Sequence, residues 1–201
     1  VGRRAHLGRT AVADIRRAHG GRRALSDQPA PVAPSSGWRL IAATDIPFVY
    51  RLVADVDPRW WRFSRDGLEP SHLLETASGV AAGVIVFDEG QQPVACAMLA
   101  DAGASGTATL EFFSLPDPAA QALARRYAPD LLVAAFDGAA IRRLYVERFS
   151  GDPDLLGDLA DLFEIEVRYP DFTQIDGHYE DRTIAVLTAE RFQEWREGLR
   201  R

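Results

Sequence analysis

The chain has no lysine: all 23 of its basic residues are arginine. Mechanisms built on a lysine Schiff base or a P-loop lysine are therefore excluded. There is one cysteine, Cys96. A single thiol can close no internal disulfide and build no cysteine-rich zinc site, and the apolar run around it marks it as a core residue. No run of about 18 apolar residues occurs, the length that a membrane-spanning helix needs. The Arg-Arg start has no apolar segment behind it of the kind a secretory signal carries. Together these absences point to the cytoplasm and to no membrane partner. Ser114 lacks a Gly-x-Ser-x-Gly setting, which argues against a serine hydrolase.

What is present is one domain's worth of chain, 201 residues, with an appendage. Residues 1–36 hold seven arginines against Asp14 and Asp27, a local charge of +5; the net charge is −6, which leaves −11 for the rest. A basic arm on an acidic body could bind nucleic acid or fold back on its own domain. The plainer reading, a solvated and partly helical extension, is the one adopted, and nucleic acid is not expected. A short helix fits Thr10–Ala18, stopped by Gly20-Gly21. Pro29, Pro31 and Pro34, followed by Ser-Ser-Gly37, read as a linker because proline suits neither helix nor ladder. The boundary falls there: 1–36 is a basic, Pro-rich flexible extension, and 37–201 is the domain.

Within the domain, Trp38–Ile41 reads as a strand. Thr44-Asp45-Ile-Pro47 offers a cap and a first-turn proline for a helix ending near Asp55. Arg59-Trp-Trp-Arg-Phe63 is aromatic and basic, and a second helix starts at Pro70–Glu75. Val80–Phe87, Pro93–Ala100 and Thr107–Leu115 follow as strands. The second of these is apolar on both faces, the pattern of a central strand. A helix opens at Pro116-Asp-Pro118 and runs to about Phe136, interrupted near Pro129 and ended by Gly138. Then come a strand at Arg142–Glu147, a helix at Asp154–Phe163, strands at Glu164–Arg168 and Arg182–Thr188, and a terminal helix from Ala189. Periodicity thus supports an α+β domain with a mixed sheet.

The order of elements, with four passages, resembles the GNAT superfamily of acyl-CoA-dependent N-acyltransferases. Trp38-Arg-Leu-Ile with Thr44-Asp45 is similar to its first strand and capped helix. Val84–Leu115 resembles its central meander. Ala135-Phe-Asp-Gly with Arg143–Glu147 resembles the end of its CoA-binding helix and the next strand. Leu156–Thr188, with Gly177-His-Tyr-Glu-Asp181, resembles its closing elements. The resemblance implies a mixed, mostly antiparallel central sheet of about seven strands flanked by helices. It also implies acetyl or acyl transfer from acyl-CoA, as co-substrate and without a metal, to a primary amine of a small molecule or a peptide N-terminus.

The same resemblance assigns roles. Glu111 in the fourth strand is the base that takes the proton of the attacking amine; the alternative is a strand glutamate facing solvent. Phe113, Ser114 and Leu115 would lie along the pantetheine arm, and Gln121 and Ala122 in the loop that holds the pyrophosphate. Trp60 and Trp61, with Arg59 and Arg62, and also His178 and Tyr179, fall on the acceptor side. The plainer readings are a hydrophobic brace for the tryptophans and a polar loop for 177–181, whose His, Glu and Asp match no standard metal spacing. Relatives of this kind are monomers or homodimers.

The loop departs from the family pattern. No glycine lies between Gly106 and Gly138. Pro116 and Pro118 remove amide donors where the family places them, and Asp117 adds a charge opposed to phosphate. The asparagine and tyrosine found later in relatives have no counterparts in Gly151-Asp-Pro-Asp154 and Leu159–Phe163. Two further expectations stand beside acyl-CoA chemistry. One is a donor thioester on a carrier protein. The other is a GNAT-fold module without CoA chemistry that binds a peptide, a protein or tRNA.

Overall fold

Alternating and wholly apolar runs pair into one seven-stranded sheet in the computed structural model, which describes residues 37–53, 82–100, 102, 105–139, 141–175 and 177–199. The strands are β1 (Trp38–Leu40), β2 (Ala82–Phe87), β3 (Pro93–Ala100), β4 (Thr107–Ser114), β5 (Arg143–Phe149), β6 (Glu164–Ile175) and β7 (His178–Thr188). Their order across the sheet is β1-β2-β3-β4-β5-β7-β6. Every pairing is antiparallel except β4 with β5. β3 is buried along both faces, as its unbroken apolar run predicts.

Three α-helices are described: α1 (Ile46–Arg51), α2 (Pro118–Val133) and α3 (Ala189–Gly198). They cover the two faces of the sheet. Phe48, Val49 and Leu52 of the α1 region pack with Ile85, Cys96, Met98 and Phe113 on one face. Ala128, Leu131 and Leu132 of α2 and Phe192 of α3 pack with Leu99, Leu110 and Leu144 on the other. Period-two alternation along β3 and β4 is what sends neighbouring side chains to opposite cores. No described helix is long and apolar enough to cross a membrane.

Asp45, expected to cap α1, turns back instead. Its carboxylate accepts from the Ala42 amide at 2.7 Å and takes both terminal nitrogens of Arg39, at 2.6 and 2.7 Å. The guanidinium also sits over the Phe87 ring, 4.8 Å from its centre. Such a two-pronged pair, nearly dry, fixes the turn between β1 and α1. The hydrogen bond to Asp45 holds the Arg39 guanidinium above its ordinary pKa, against the opposing effect of burial. Gly83 lets the chain after β1 lie close on β2: a Cβ there would come within 2.9 Å of Ile41 Cγ2.

Pro129 does not break α2. The helix continues through it to Val133 and ends in a π-type turn, Ala134–Gly138. The buried stripe Ala124, Ala128, Leu131 and Leu132 holds the two halves in line, so packing outweighs one missing backbone hydrogen bond. The helix expected at Asp154–Phe163 shrinks to a 3₁₀ segment, Gly157–Leu162. The Asp154 carboxylate accepts from the Gly157 amide at 3.1 Å and Gly157 has φ +57°, so the chain is held in a turn before any helix can start. The loop expected at 177–181 is the tip of a long hairpin, with Gly177 in the left-handed region at φ +84° and β7 starting at His178. The expected helices at 10–18 and 70–75 and the segment 59–63 lie outside the described residues.

Candidate active-site cleft

β4 and β5 pair over only three residues each, Thr107–Thr109 with Arg143–Tyr145, and then part. The notch holds a cavity of about 280 Å³. Its sides are Glu111–Ser114 of β4 and Val146–Arg148 of β5; Leu52 meets it from the α1 side, and Pro116, Gln121 and Leu156 from the α2 side. Because alternate β4 side chains belong to opposite cores, the cleft passes through the sheet rather than into one face of it.

On the α1 face stands Glu111, 7% exposed and opposite Met98 in the β3–β4 register. A carboxylate at this depth, between Leu110 and Phe112 in sequence, is in reach of whatever fills the notch. Glu147 lies on the same side of β5 and is committed to Arg182: Nε lies 2.7 Å from Oε1, and Nη2 donates to Oε2 at 2.8 Å. Arg182 is stacked in turn on Phe172 and Tyr169, 4.8 and 5.6 Å from their ring centres. That stack fixes the arginine and so the second carboxylate.

On the α2 face stands Ser114, also 7% exposed, whose hydroxyl has no hydrogen-bond partner among the described residues. The β4 backbone adds to it. The Leu115 amide bonds to the Val94 carbonyl at 2.9 Å, which sets the alternation of the β3–β4 ladder. By that alternation the N–H and C=O of Leu110, Phe112 and Ser114 point towards β5, and beyond Thr109 β5 is no longer paired there. The notch is thus edged by backbone donors and acceptors.

The mouth of the cleft is the start of α2. Asp117 is the N-cap, and its two oxygens accept from the amides of Ala119 at 2.9 Å and Ala120 at 3.1 Å. Pro118 has no amide proton, and the Gln121 amide already bonds to the Asp117 carbonyl at 3.1 Å. The far wall is held by Asp152, which accepts from the Phe149 amide at 2.7 Å, and by Asp154, which pairs with Arg148 at 3.2 Å.

The overall fold recurs in solved structures. The spermidine N-acetyltransferase of Vibrio cholerae, in a complex with CoA and spermine, superposes with a TM-score of 0.62 at 15% identity, covering 78% of this chain and 96% of that one. A structure described as a candidate phosphinothricin N-acetyltransferase gives 0.59 at 17% identity, covering 75% and 96%. The chain has the GNAT fold. At these identities the likeness is one of fold, and activity is a separate question. No family model and no curated protein matches the sequence.

Within the GNAT fold the residues singled out in the sequence separate into two groups. Glu111, Phe113, Ser114 and Gln121 line the cleft, whereas Leu115 and Ala122, although next to them in the chain, do not. His178 and Tyr179 are exposed at the hairpin tip, Tyr179 at 65%, and neither lines the cleft. Trp60 and Trp61 lie outside the described residues. Sequence reasoning missed Glu147, Arg148 and Asp152 on the β5 side. Glu147 alternates with the core residues Leu144 and Val146 along β5, but alternation alone marks an ordinary outward position and not the wall of a cleft.

Proposed function

We propose that this protein transfers an acyl group, acetyl being the simplest, from a thioester to a primary amine. The observation that carries the reading is Glu111, buried in the notch where the backbone edge of β4 is open. The pantetheine arm of the donor is an extended chain with two amides, and it would lie along β4 as an added strand does. That places the thioester carbonyl beside a β4 amide able to stabilise negative charge on its oxygen.

The amine attacks the thioester carbon, forming the C–N bond and a tetrahedral oxyanion. Glu111, directly or through one water, takes the proton that the nitrogen loses. Collapse breaks the C–S bond and releases the thiolate, which is protonated from solvent. Holding both reactants across the sheet makes the attack effectively unimolecular. Glu111 on the α1 side, with Glu147 already neutralised by Arg182, favours a basic acceptor such as a small-molecule amine or a peptide N-terminus, which attacks as the free amine. Two relatives in fold carry spermidine or spermine in their descriptions, which supports a small-molecule amine as the first choice to test.

The capped start of α2 speaks for a second reading, a GNAT-fold module that binds a peptide, protein or tRNA without thioester chemistry. Amine-dependent thiol release from acyl thioesters separates the two. Under the proposed function Glu111→Gln lowers turnover by about 10²- to 10⁴-fold, the usual contribution of a positioned base. Its donor affinity should be unchanged. Unchanged turnover would remove Glu111 from the mechanism. Absence of thiol release with any amine would favour the second reading.

A further inference from the structure

We propose that the cleft recognises its donor by the pantetheine arm alone and gives a nucleotide pyrophosphate no anchorage. A pantetheine thioester on a carrier protein, or free, is then bound as well as the same thioester on CoA. This rests on the acyl-transfer reading above and names its donor class.

An anion is held at a helix start by unpaired amides and the helix dipole. Here the amides are spoken for. The Asp117 carboxylate already takes Ala119 and Ala120, at 2.9 and 3.1 Å. Proline at 116 and 118 contributes none, and no glycine between 106 and 138 opens the backbone for a close approach. An incoming diphosphate would meet a carboxylate of its own sign in the position it needs. Nor does a described cation of the cleft compensate, because Arg148 is paired with Asp154.

The α2 side nevertheless asks for a polar ligand. Ser114 is nine-tenths buried and is one of the residues lining the cavity, and its hydroxyl lacks a partner among the described residues. A buried hydroxyl without a partner is costly, so native structures rarely leave one. A neutral amide of a pantetheine arm satisfies it and the open edge of β4 together, with no charge required. The two observations therefore divide one ligand: its arm fits, and its nucleotide does not.

The test is calorimetric binding of the full chain to pantetheine, 4′-phosphopantetheine, CoA and a holo-acyl carrier protein, with the apo carrier protein as control. The expected result is dissociation constants for pantetheine and CoA within about threefold of one another. CoA binding more than about 30-fold tighter than pantetheine overturns the proposal and leaves the acyl-transfer reading intact. Binding of none of them removes both. Holo carrier protein binding tighter than pantetheine, with the apo form silent, supports the proposal and identifies the protein-borne source; equal binding supports it with a free source.

Two variants sharpen the result. Asp117→Gly releases the two amides while keeping a tolerated N-cap residue. It should raise CoA affinity about tenfold or more and leave pantetheine unchanged, with circular dichroism confirming the fold. No gain for CoA in a folded variant would overturn the role given to Asp117. Ser114→Ala should weaken pantetheine and CoA equally, by about two- to tenfold, the value of one hydrogen bond; unchanged affinity for both counts against the proposal.

Discussion

The aromatic stack under α3 offers a quantitative test of how the C-terminal helix is held. Phe192 is wholly buried and is the only residue of α3 that is. Its ring stacks on Phe136 at 4.5 Å between centres and 15° between planes, and packs against Trp195 at 5.6 Å. Phe136 belongs to the π-type turn that ends α2, so one ring ties the last helix to the end of the helix beside the cleft. Truncation to alanine removes the buried ring and leaves a cavity, for which about 3–5 kcal/mol is expected. Phe192→Leu keeps most of the volume and should cost roughly 1–2 kcal/mol, mainly the ring–ring preference. Urea denaturation reads the difference: at a slope near 2 kcal/mol/M the alanine variant loses about 2 M in midpoint. A double-mutant cycle with Phe136→Leu should return a coupling of about 0.5–1.5 kcal/mol. A loss below about 1 kcal/mol for Phe192→Ala would refute the reasoning, since α3 would then be held by its polar contacts, chiefly Arg196 with Asp137 at 2.6 Å.

Two other outcomes follow from charge and burial. Burial, with the Asp45 charge as a second cause, pushes the Cys96 thiol well above its ordinary value. In native protein at pH 8 Cys96 should react with a disulfide reagent more than about a thousandfold more slowly than in denaturant, because only the open state presents a thiolate; fast native labelling would contradict the burial of β3. Asp181 is held below the usual carboxylate range by its hydrogen bond from Arg168, at 2.6 Å, and then by the Asp171 amide, at 3.0 Å. A depressed carboxylate stabilises above its unfolded value, near 4, and the contribution is lost as pH falls through the lower folded value. Hydrogen exchange at Asp171 should therefore be constant from pH 5 upward, after correction for intrinsic rates, and lose protection in stronger acid; protection that persists there would show that Asp181 does not hold the bend.

Strands were the most legible part of the sequence, because burial on both faces leaves an unbroken apolar run and β3 fills its expected span, Pro93–Ala100. Helix ends were less so. Pro129 predicted a break that the Ala124–Leu132 stripe overrides, and the apolar pattern of Asp154–Phe163 concealed the turn that Asp154 and Gly157 impose. Asp117 shows how a residue can be noticed for a partial reason. Its charge was visible as a conflict with phosphate, yet an aspartate followed by proline is also the signature of a cap and first helical residue. The β5 wall of the cleft was not legible because it depends on where two strands cease to pair, which no local pattern records.

The short seam between β4 and β5 has a mechanical meaning. Three residue pairs tie β4 to β5, whereas six tie β3 to β4 and seven tie β5 to β7. Tension across the sheet would concentrate at the end of the seam, beside Glu111, as stress does at the tip of a slit. A molecule lying along β4 and reaching β5 acts as a rivet across that slit. Occupancy of the cleft would then stiffen the two halves of the sheet against each other.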